Sequence, residues 1–156
     1  MKAKDCFELA AEQARKATCK RARCGSVIIT DDTHEVIGVG HNGPPLGDES
    51  QRTCEAEWDL GIKPKYDKTC CIHAEWRAIF DVLKTNADKI SRATLWFMRV
   101  DENGEWTDAG EPFCTVCSRL ALESGLANFA LWVDGKPKIY TTADYNKASY
   151  AYYKKA

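Results

Sequence analysis

The sequence predicts an α/β protein, a three-layer α/β/α sandwich in which helices cover both faces of one mixed β-sheet. Two observations support this prediction. Short β-branched runs alternate along the chain with segments whose apolar residues recur at helical spacing. The length of 156 residues suits one compact domain spanning 1–156, with a core of its own. The strand order does not follow from this pattern.

The first part of the chain predicts a helix followed by a hairpin. Apolar residues at helical spacing indicate an amphipathic helix over 4–19. The β-branched runs 25–30 and 35–40 are separated by a turn-rich tetrapeptide and indicate two hairpin strands. The segment 41–68 is rich in Gly, Pro and charge, and is predicted to be a functional loop with a short helix near 54–60.

The second part of the chain continues the alternation. Helical spacing returns in a second helix that begins near His73. A third helix follows Cys114 and is closed by Gly125. The tyrosine-rich tail from Ala143 is predicted to be a closing helix whose tyrosines pack at a surface or subunit contact. Further strands are predicted at 93–100, 128–133 and 138–142.

Composition and charge narrow the class of protein. Hydrophobic residues make up 44% and charged residues 29% of the chain, as in soluble globular proteins. No stretch has the apolar length of an export signal or a membrane span, so a cytoplasmic location is expected. In that reducing compartment the eight cysteines favour metal binding or catalysis over disulfides. The net charge of −1 argues against a nucleic-acid partner, which requires a basic surface.

A candidate metal site lies at two predicted helix starts. Cys114 and Cys117 are three residues apart, so their sulfurs share one helix face, and the positive helix end favours their thiolate forms. His73, at the start of the other helix, supplies a third ligand. Three protein ligands leave a tetrahedral Zn2+ with one open position for a catalytic water molecule.

Glu75 is the candidate catalytic residue. It lies two residues after His73, so both face the ion only if His73 stands at the helix mouth. We predict that its carboxylate accepts the proton of the water and delivers it to a ring nitrogen, which lets an exocyclic amine leave as ammonia. H-x-E followed by P-C-x-x-C is a two-part signature of zinc deaminases. The alternative is a structural zinc knuckle beside an unrelated histidine, although such sites normally close all four positions.

Two further segments resemble the deoxycytidylate deaminase family within the cytidine deaminase superfamily, and the resemblance spans roughly 5–134. Cys71-Ile-His-Ala-Glu is similar to the C-x-H-A-E block of that family, and Gly40-His-Asn-Gly-Pro-Pro-Leu-Gly is similar to its G-Y-N-G-x-P-x-G loop. The resemblance implies a five-stranded sheet, a homo-oligomer, and hydrolysis of a cytosine amine to a uracil carbonyl. Its implied substrate is a small nucleotide or nucleoside, with dCMP as the first candidate.

The resemblance also implies roles for individual residues. Asn42 matches the loop asparagine that contacts the sugar, and Ala74 matches the alanine whose backbone contacts the base. Asn42-Gly43 alone is equally typical of a plain turn. Some members hold a second, structural zinc near equivalent segments, and the candidate ligands for it here are Cys19, Cys24, Cys54 and Cys70. The alternative is that these four cysteines are buried free thiols.

Three departures from the family pattern lie beside the expected site. Phe113 separates the proline from the first cysteine ligand, Trp76 and Arg77 replace smaller polar residues, and the loop 101–111 lengthens the path to the cysteines. This loop is a candidate for reshaping the rim of the pocket. Its Trp106 is a candidate stacking surface for a base, with ordinary loop packing as the alternative.

Other readings of the sequence remain open at this stage. The substrate could instead be another small ring, such as a purine base, or a polynucleotide. The alternative to an enzyme is a non-catalytic zinc-binding interaction module. A basic cluster is a candidate phosphate contact or a solvated helix end. Its members are Arg15, Lys16, Lys20, Arg21 and Arg23.

Overall fold

The computed structural model describes residues 1–59, 61–62 and 70–154. Short 3-10 turns at Pro45–Gly47, Glu49–Gln51 and Ala87–Arg92 connect the main elements. The helices are α1 (Ala3–Arg15), α2 (Ala74–Thr85), α3 (Thr115–Glu123) and α4 (Thr142–Ala151). The strands are β1 (Arg23–Thr30), β2 (Val36–His41), β3 (Ala93–Val100), β4 (Trp106–Thr107), β5 (Asn128–Val133) and β6 (Lys136–Thr141).

All described strands belong to one mixed sheet in the order β2-β1-β3-β5-β6. The β3–β5 pair is parallel and the other pairs are antiparallel. The sheet has six strands rather than the expected five, because β5 pairs with β3 only over 94–96 and the two-residue β4 pairs with Arg99 and Val100 farther along. The α/β class predicted from the sequence is confirmed.

Helices cover both faces of the sheet, and each face has its own apolar core. On one face α1 packs Phe7 edge-on against Trp96, with ring centroids 5.0 Å apart. On the other face, α2, α3 and α4 pack against the odd-numbered residues of β3, such as Leu95. Ile79 and Tyr145 are buried in this core. The residues with metal-ligand chemistry lie on this second face, at the ends of α2 and α3.

Two helix predictions differ from the structure. The first helix ends at Arg15 rather than near Cys19, because the Lys16 and Ala17 N–H groups close its last turn and the Thr18 N–H donates to the Asn42 carbonyl (3.3 Å). The helix expected near 54–60 is wrong: residues 54–56 form a turn and a bend, residues 57–59 have no regular structure, and position 60 lies outside the described residues. A short helix needs an apolar face to bury, whereas Trp58 is 44% exposed.

In the described part of the chain, none of the helices is both long and apolar enough to cross a bilayer.

Candidate active site

His73 stands at the mouth of α2, as the sequence-based interpretation of Glu75 requires. It is the residue before the helix, with an extended backbone (φ −69°, ψ 148°), and α2 begins at Ala74. The helix can approach the sheet here because Gly40 lies beneath it. A β-carbon at Gly40 would stand 2.3 Å from the Ala74 carbonyl oxygen, closer than real atoms allow. Because Gly40 has no side chain, α2 can pack closely on β2, and this packing positions His73.

The two cysteines are held by the first turn of α3. Cys114 is the N-cap residue, and its Sγ accepts the backbone N–H of Cys117 at 3.4 Å. Cys117 is fully buried, whereas Cys114 is half-buried and lines a cavity. The helix end thus fixes both sulfurs on one side, as their spacing predicts.

The structure brings the three predicted ligands together. The two Sγ atoms of Cys114 and Cys117 are 2.9 Å apart, and His73 Nδ1 lies 3.1 Å from the Cys117 sulfur and 3.7 Å from the Cys114 sulfur. A tetrahedral zinc separates nitrogen and sulfur ligands by about 3.5–3.8 Å. Outward movements of less than about 1 Å would suffice to reach that geometry. This donor set therefore fits a zinc ion.

The electrostatics of the group favour a shared proton and a negative charge. The hydrogen bond from the Cys117 thiol lowers the pKa of Cys114 to about 4, and the His73 ring adds to this effect. Burial raises the pKa of Cys117 well above its ordinary value. Burial would lower the pKa of His73, but the hydrogen bond with Cys114 and the charge of Glu75 outweigh it and raise that pKa. A cation that binds here would displace protons from these groups.

Glu75 lies beside the ligand group in the first turn of α2. Its Oε2 is 3.6 Å from the Cys117 Sγ, and the residue is 8% exposed. Burial raises the pKa of this carboxyl, although the neighbouring His73 charge opposes the shift. A carboxyl with a raised pKa, next to a group that can bind a metal, is suited to taking up and releasing protons.

A cavity of about 380 Å³ opens beside His73 and Glu75. Ala74 and Asn42 line it, as the family resemblance implies. The Asn42 side chain also ties β1 to β2, because its Oδ1 accepts the Cys24 N–H at 2.9 Å and its Nδ2 donates to the Ala22 carbonyl at 2.8 Å. One of the two Nδ2 hydrogens is committed in this way.

Sequence reasoning missed several residues of the cavity wall. Phe97 and Arg99 project from β3 on the same side as Leu95, and Tyr145 comes from α4. The alternation along β3 was a usable signal, because residues two apart in a strand face the same way. The sequence offers no comparable signal for Tyr145, whose place depends on how α4 packs over β5.

The four cysteines proposed for a second zinc do not all come together. Cys24 instead lies opposite Arg99 in the β1–β3 ladder and lines the cavity. Cys71, immediately before the H-A-E block, takes its place among the others. The side chain of Cys19 interacts with that of Cys71, and Cys70 interacts with both Cys71 and Cys54. Among the described residues, however, only His73, Cys114 and Cys117 bring three ligand atoms within 4.8 Å of one another.

The basic cluster is mostly engaged elsewhere. Of its five members, only Arg21 lines the cavity. Arg15 pairs with Glu8, Lys20 pairs with Glu55, Arg23 donates to the Asp101 carbonyl, and Lys16 is exposed.

Three aromatic or basic residues expected near the site have different places. Trp106 lies on the α1 face, where its Nε1 donates to Glu8 (2.9 Å), so the stacking prediction is wrong and the packing alternative holds. Arg77 donates to the carbonyls of the His41–Pro44 loop rather than lining the cavity. Phe113 does line the cavity.

The loop 101–111 reaches the site after pairing with the end of β3. The Asp101 carboxylate accepts two backbone N–H groups within this loop, and the Ala109 N–H donates to the Trp132 carbonyl (3.0 Å). The chain then places Ala109 and Glu111 in the cavity wall. The loop therefore contributes to the rim, as its position in the sequence indicated.

Fold and site together define the class of the protein: a deaminase-like α/β/α domain with a His-Cys-Cys group at the mouths of two helices. The family model described as the cytidine and deoxycytidylate deaminase zinc-binding region matches residues 1–132, and the chain belongs to this family.

Solved structures show the same fold at low identity. The chain is similar to cytidine deaminase from Burkholderia pseudomallei, with 17% identity, coverage of 93% of this chain and 96% of that one, and a TM-score of 0.62. It is also similar to dCMP deaminase from the cyanophage S-TIM5, with 17% identity, coverage of 83% and 82%, and a TM-score of 0.57. Cytidine deaminase from Mycobacterium tuberculosis is 18% identical over 92% and 93%, with a TM-score of 0.53. Among curated protein sequences, none matches the chain.

Proposed function

We propose that the protein is a zinc-dependent hydrolase that replaces the exocyclic amine of a cytosine-type nucleotide or nucleoside by a carbonyl and releases ammonia. The observation that carries the proposal is the position of Glu75, whose buried carboxylate lies 3.6 Å from the Cys117 sulfur and lines the same cavity as His73 and Cys114. Family membership favours a cytosine compound. A dCMP deaminase is among the similar structures, so dCMP is the first substrate to test.

The residues divide the chemistry between them. His73, Cys114 and Cys117 would hold the ion. Zinc bound by three protein ligands lowers the pKa of a coordinated water molecule to about 7. Glu75 would accept the first proton of the attacking water and pass it to the ring nitrogen beside the carbon under attack. It would then carry the second proton, from the hydroxyl newly bonded to that carbon, to the amine. The bond between carbon and amine breaks, ammonia leaves, and the carbon keeps the oxygen as a carbonyl.

The cavity walls suit a flat ring. The backbone at Ala74, next to the proposed catalytic carboxylate, would contact the base, and Phe97 and Tyr145 would provide aromatic surface. Asn42, which also lines the cavity, would offer its remaining Nδ2 hydrogen to a sugar hydroxyl. The volume of about 380 Å³ is at the small end for ligand sites, which favours a monomeric substrate over a polynucleotide.

An ammonia-release screen tests the proposal. The purified zinc protein is assayed with cytosine, adenine and guanine compounds as bases, nucleosides and monophosphates, beside the Glu75→Gln variant. We expect turnover of a cytosine compound by the wild type, and loss of about 10³-fold or more in the variant with its zinc retained. Turnover of a purine compound but of no cytosine compound would show that the substrate is a purine. Zinc retention without any ammonia would indicate a polynucleotide enzyme or a non-catalytic zinc module.

We also propose that Cys19, Cys54, Cys70 and Cys71 hold a second, structural zinc. The pairwise interactions of their side chains support this, because thiolates are preferred ligands of structural zinc sites, and the four sulfurs would have to draw closer together around the ion. Metal analysis should then find two zinc ions per chain. Cys54→Ser should reduce the content to one, whereas Cys24→Ser, outside the cluster, should leave two. A wild-type content of one would refute the second site.

Self-association and a cytoplasmic location complete the proposal. Val116 and Leu122 leave apolar side chains exposed on α3, and Tyr152 is exposed beyond α4, which supports a contact between copies. Light scattering after size exclusion would detect self-association, and a monomer at micromolar concentration would refute it.

The proposed cytoplasmic location agrees with the cysteine chemistry, because metal-binding thiols must stay reduced and the cytoplasm is a reducing compartment.

A further inference from the structure

Arg99 is an arginine in the wall of the proposed active-site cavity. It lies directly opposite Cys24 in the antiparallel β1–β3 ladder and faces the same side of the sheet as Phe97. The strand pairing fixes its Cα, and the side chain, which is partly buried, lines the cavity. The proposed reaction uses none of its groups.

Within the described part of the chain, Arg99 lacks an ionic partner. No described carboxylate lies within 4.0 Å of its guanidinium, in contrast to Arg15 and Arg52. Its Nε is shielded from solvent and has no hydrogen-bond partner among the described residues. A shielded guanidinium nitrogen without an acceptor is costly, so such groups in a native protein call for an explanation.

The neighbours of Arg99 do not supply the missing charge. Its side chain interacts with the thiol of Cys24, whose pKa burial raises to about 12, with the Glu75 charge adding to the shift. That thiol is therefore neutral at physiological pH. Of the two acids lining the cavity, Glu75 belongs to the reaction centre and Glu111 pairs with Lys138 at 3.8 Å.

A second arginine faces the same cavity. Arg21 lies in the segment between α1 and β1, and it is the one member of the basic cluster that lines the cavity. It is exposed, so it contributes at the entrance and is more strongly screened by salt than Arg99. Two guanidinium groups thus converge on one concave site from neighbouring parts of the fold.

We propose that Arg99, assisted by Arg21, binds an oxyanion of the substrate, either a phosphate monoester or a carboxylate, and so makes the enzyme selective for anionic substrates. The planar guanidinium fork pairs with either group through two parallel N–H donors. This inference rests on the proposed deaminase function and specifies the class of substrate that the site accepts. Arg99 would be a binding residue, with no part in proton transfer.

The test compares three substrates. Deoxycytidine carries no oxyanion, deoxycytidine monophosphate carries a phosphate, and 5-carboxycytosine carries a carboxylate. In Arg99→Gln we expect kcat/KM for the preferred anionic compound to fall by about 10- to 100-fold, mostly through KM. The neutral compound should change by less than about threefold. The anionic substrate whose kcat/KM falls more shows whether Arg99 binds a phosphate or a carboxylate.

Matched variants separate binding from folding. Arg99→Lys keeps the charge but not the fork, so it should lie between wild type and Arg99→Gln. Arg92→Gln, an arginine paired with Asp32 near the other end of β3, should match wild type with every substrate. Thermal melting and zinc content of each variant should equal those of wild type. A uniform loss across the three substrates, or none, would overturn the inference.

A binding measurement distinguishes this inference from the proposed function. Calorimetry with the Glu75→Gln protein needs no turnover, and the same three compounds serve as ligands. Anion-selective binding that disappears in the Glu75→Gln, Arg99→Gln double variant would support the inference even if wild type released no ammonia. Equal affinity for neutral and anionic compounds would refute it even if deamination were established.

Discussion

The rings of His73 and Trp76 stack face to face, with centroids 4.4 Å apart and planes inclined by 7°. The indole therefore restricts the imidazole to the orientation in which Nδ1 faces the two cysteine sulfurs. Trp76 lies in the first turn of α2, three residues after the histidine, so the helix itself holds the pair in register. The bulky residue that departs from the family pattern therefore orients a residue that we propose as a metal ligand.

Replacing Trp76 with Leu should weaken zinc binding. Loss of the stacked surface frees the imidazole to rotate, and outer contacts of this kind are worth about 10- to 100-fold in metal affinity. Competition with a chromogenic chelator measures the change. Trp76→Phe should recover much of the affinity because a ring remains. Trp58→Leu, in an exposed loop, is the control and should bind zinc as wild type does; an equal loss there would contradict the stacking role.

Removing a metal ligand should abolish zinc binding at the proposed catalytic centre. Cys117→Ala deletes one sulfur of a three-residue site, so the variant should lose that zinc and fall below about 10⁻³ of wild-type turnover. Zinc content by plasma mass spectrometry and ammonia release are the measurements. Cys6→Ala is the matched control, a buried cysteine on the opposite face of the sheet. It should keep zinc and turnover and cost only about 1 kcal/mol of stability.

The fold class and the grouping of His73, Cys114 and Cys117 could be predicted from the sequence because both depend on local spacing. Alternating β-branched runs define strands, and residues at helix starts face one another whenever α2 and α3 pack on the same face. The sequence did not place Trp106, because a two-residue strand between loops has no period that reveals its face. The Cys19–Cys71 contact was equally out of reach, since it depends on where α1 stops and how the following chain returns.

Gly40 is the position where a small change should disturb both stability and the site. In Gly40→Ala the new methyl group would meet the Ala74 carbonyl at 2.3 Å, and α2 must move away from β2. We expect a loss of about 1–3 kcal/mol in the free energy of unfolding, together with weaker zinc binding. Denaturant unfolding measures the first effect. The neighbouring Val39 is 37% exposed, and Val39→Ala should change stability by less than about 1 kcal/mol.

Thiol chemistry offers a direct test of the electrostatics in zinc-free protein. The pKa of Cys114 is lowered to about 4, so its thiolate is already the dominant form at pH 6 and stays so at pH 8. Its alkylation by iodoacetamide should therefore be almost independent of pH across this window. Cys24, whose pKa is raised to about 12, should be unreactive at pH 6 and gain about tenfold per pH unit. Peptide mass spectrometry quantifies both sites in one sample.

The same experiment with zinc present links the charge to the metal. An ion bound to the thiolate competes with the alkylating reagent, so added zinc should protect Cys114 and leave Cys24 unchanged. Protection should also weaken as the pH falls toward 4, because protons and zinc compete for the same sulfur and the lowered pKa sets where the proton wins. Labelling of Cys114 that rises tenfold per pH unit between 6 and 8 would show that the Cys117 thiol and the His73 ring do not stabilise its negative charge.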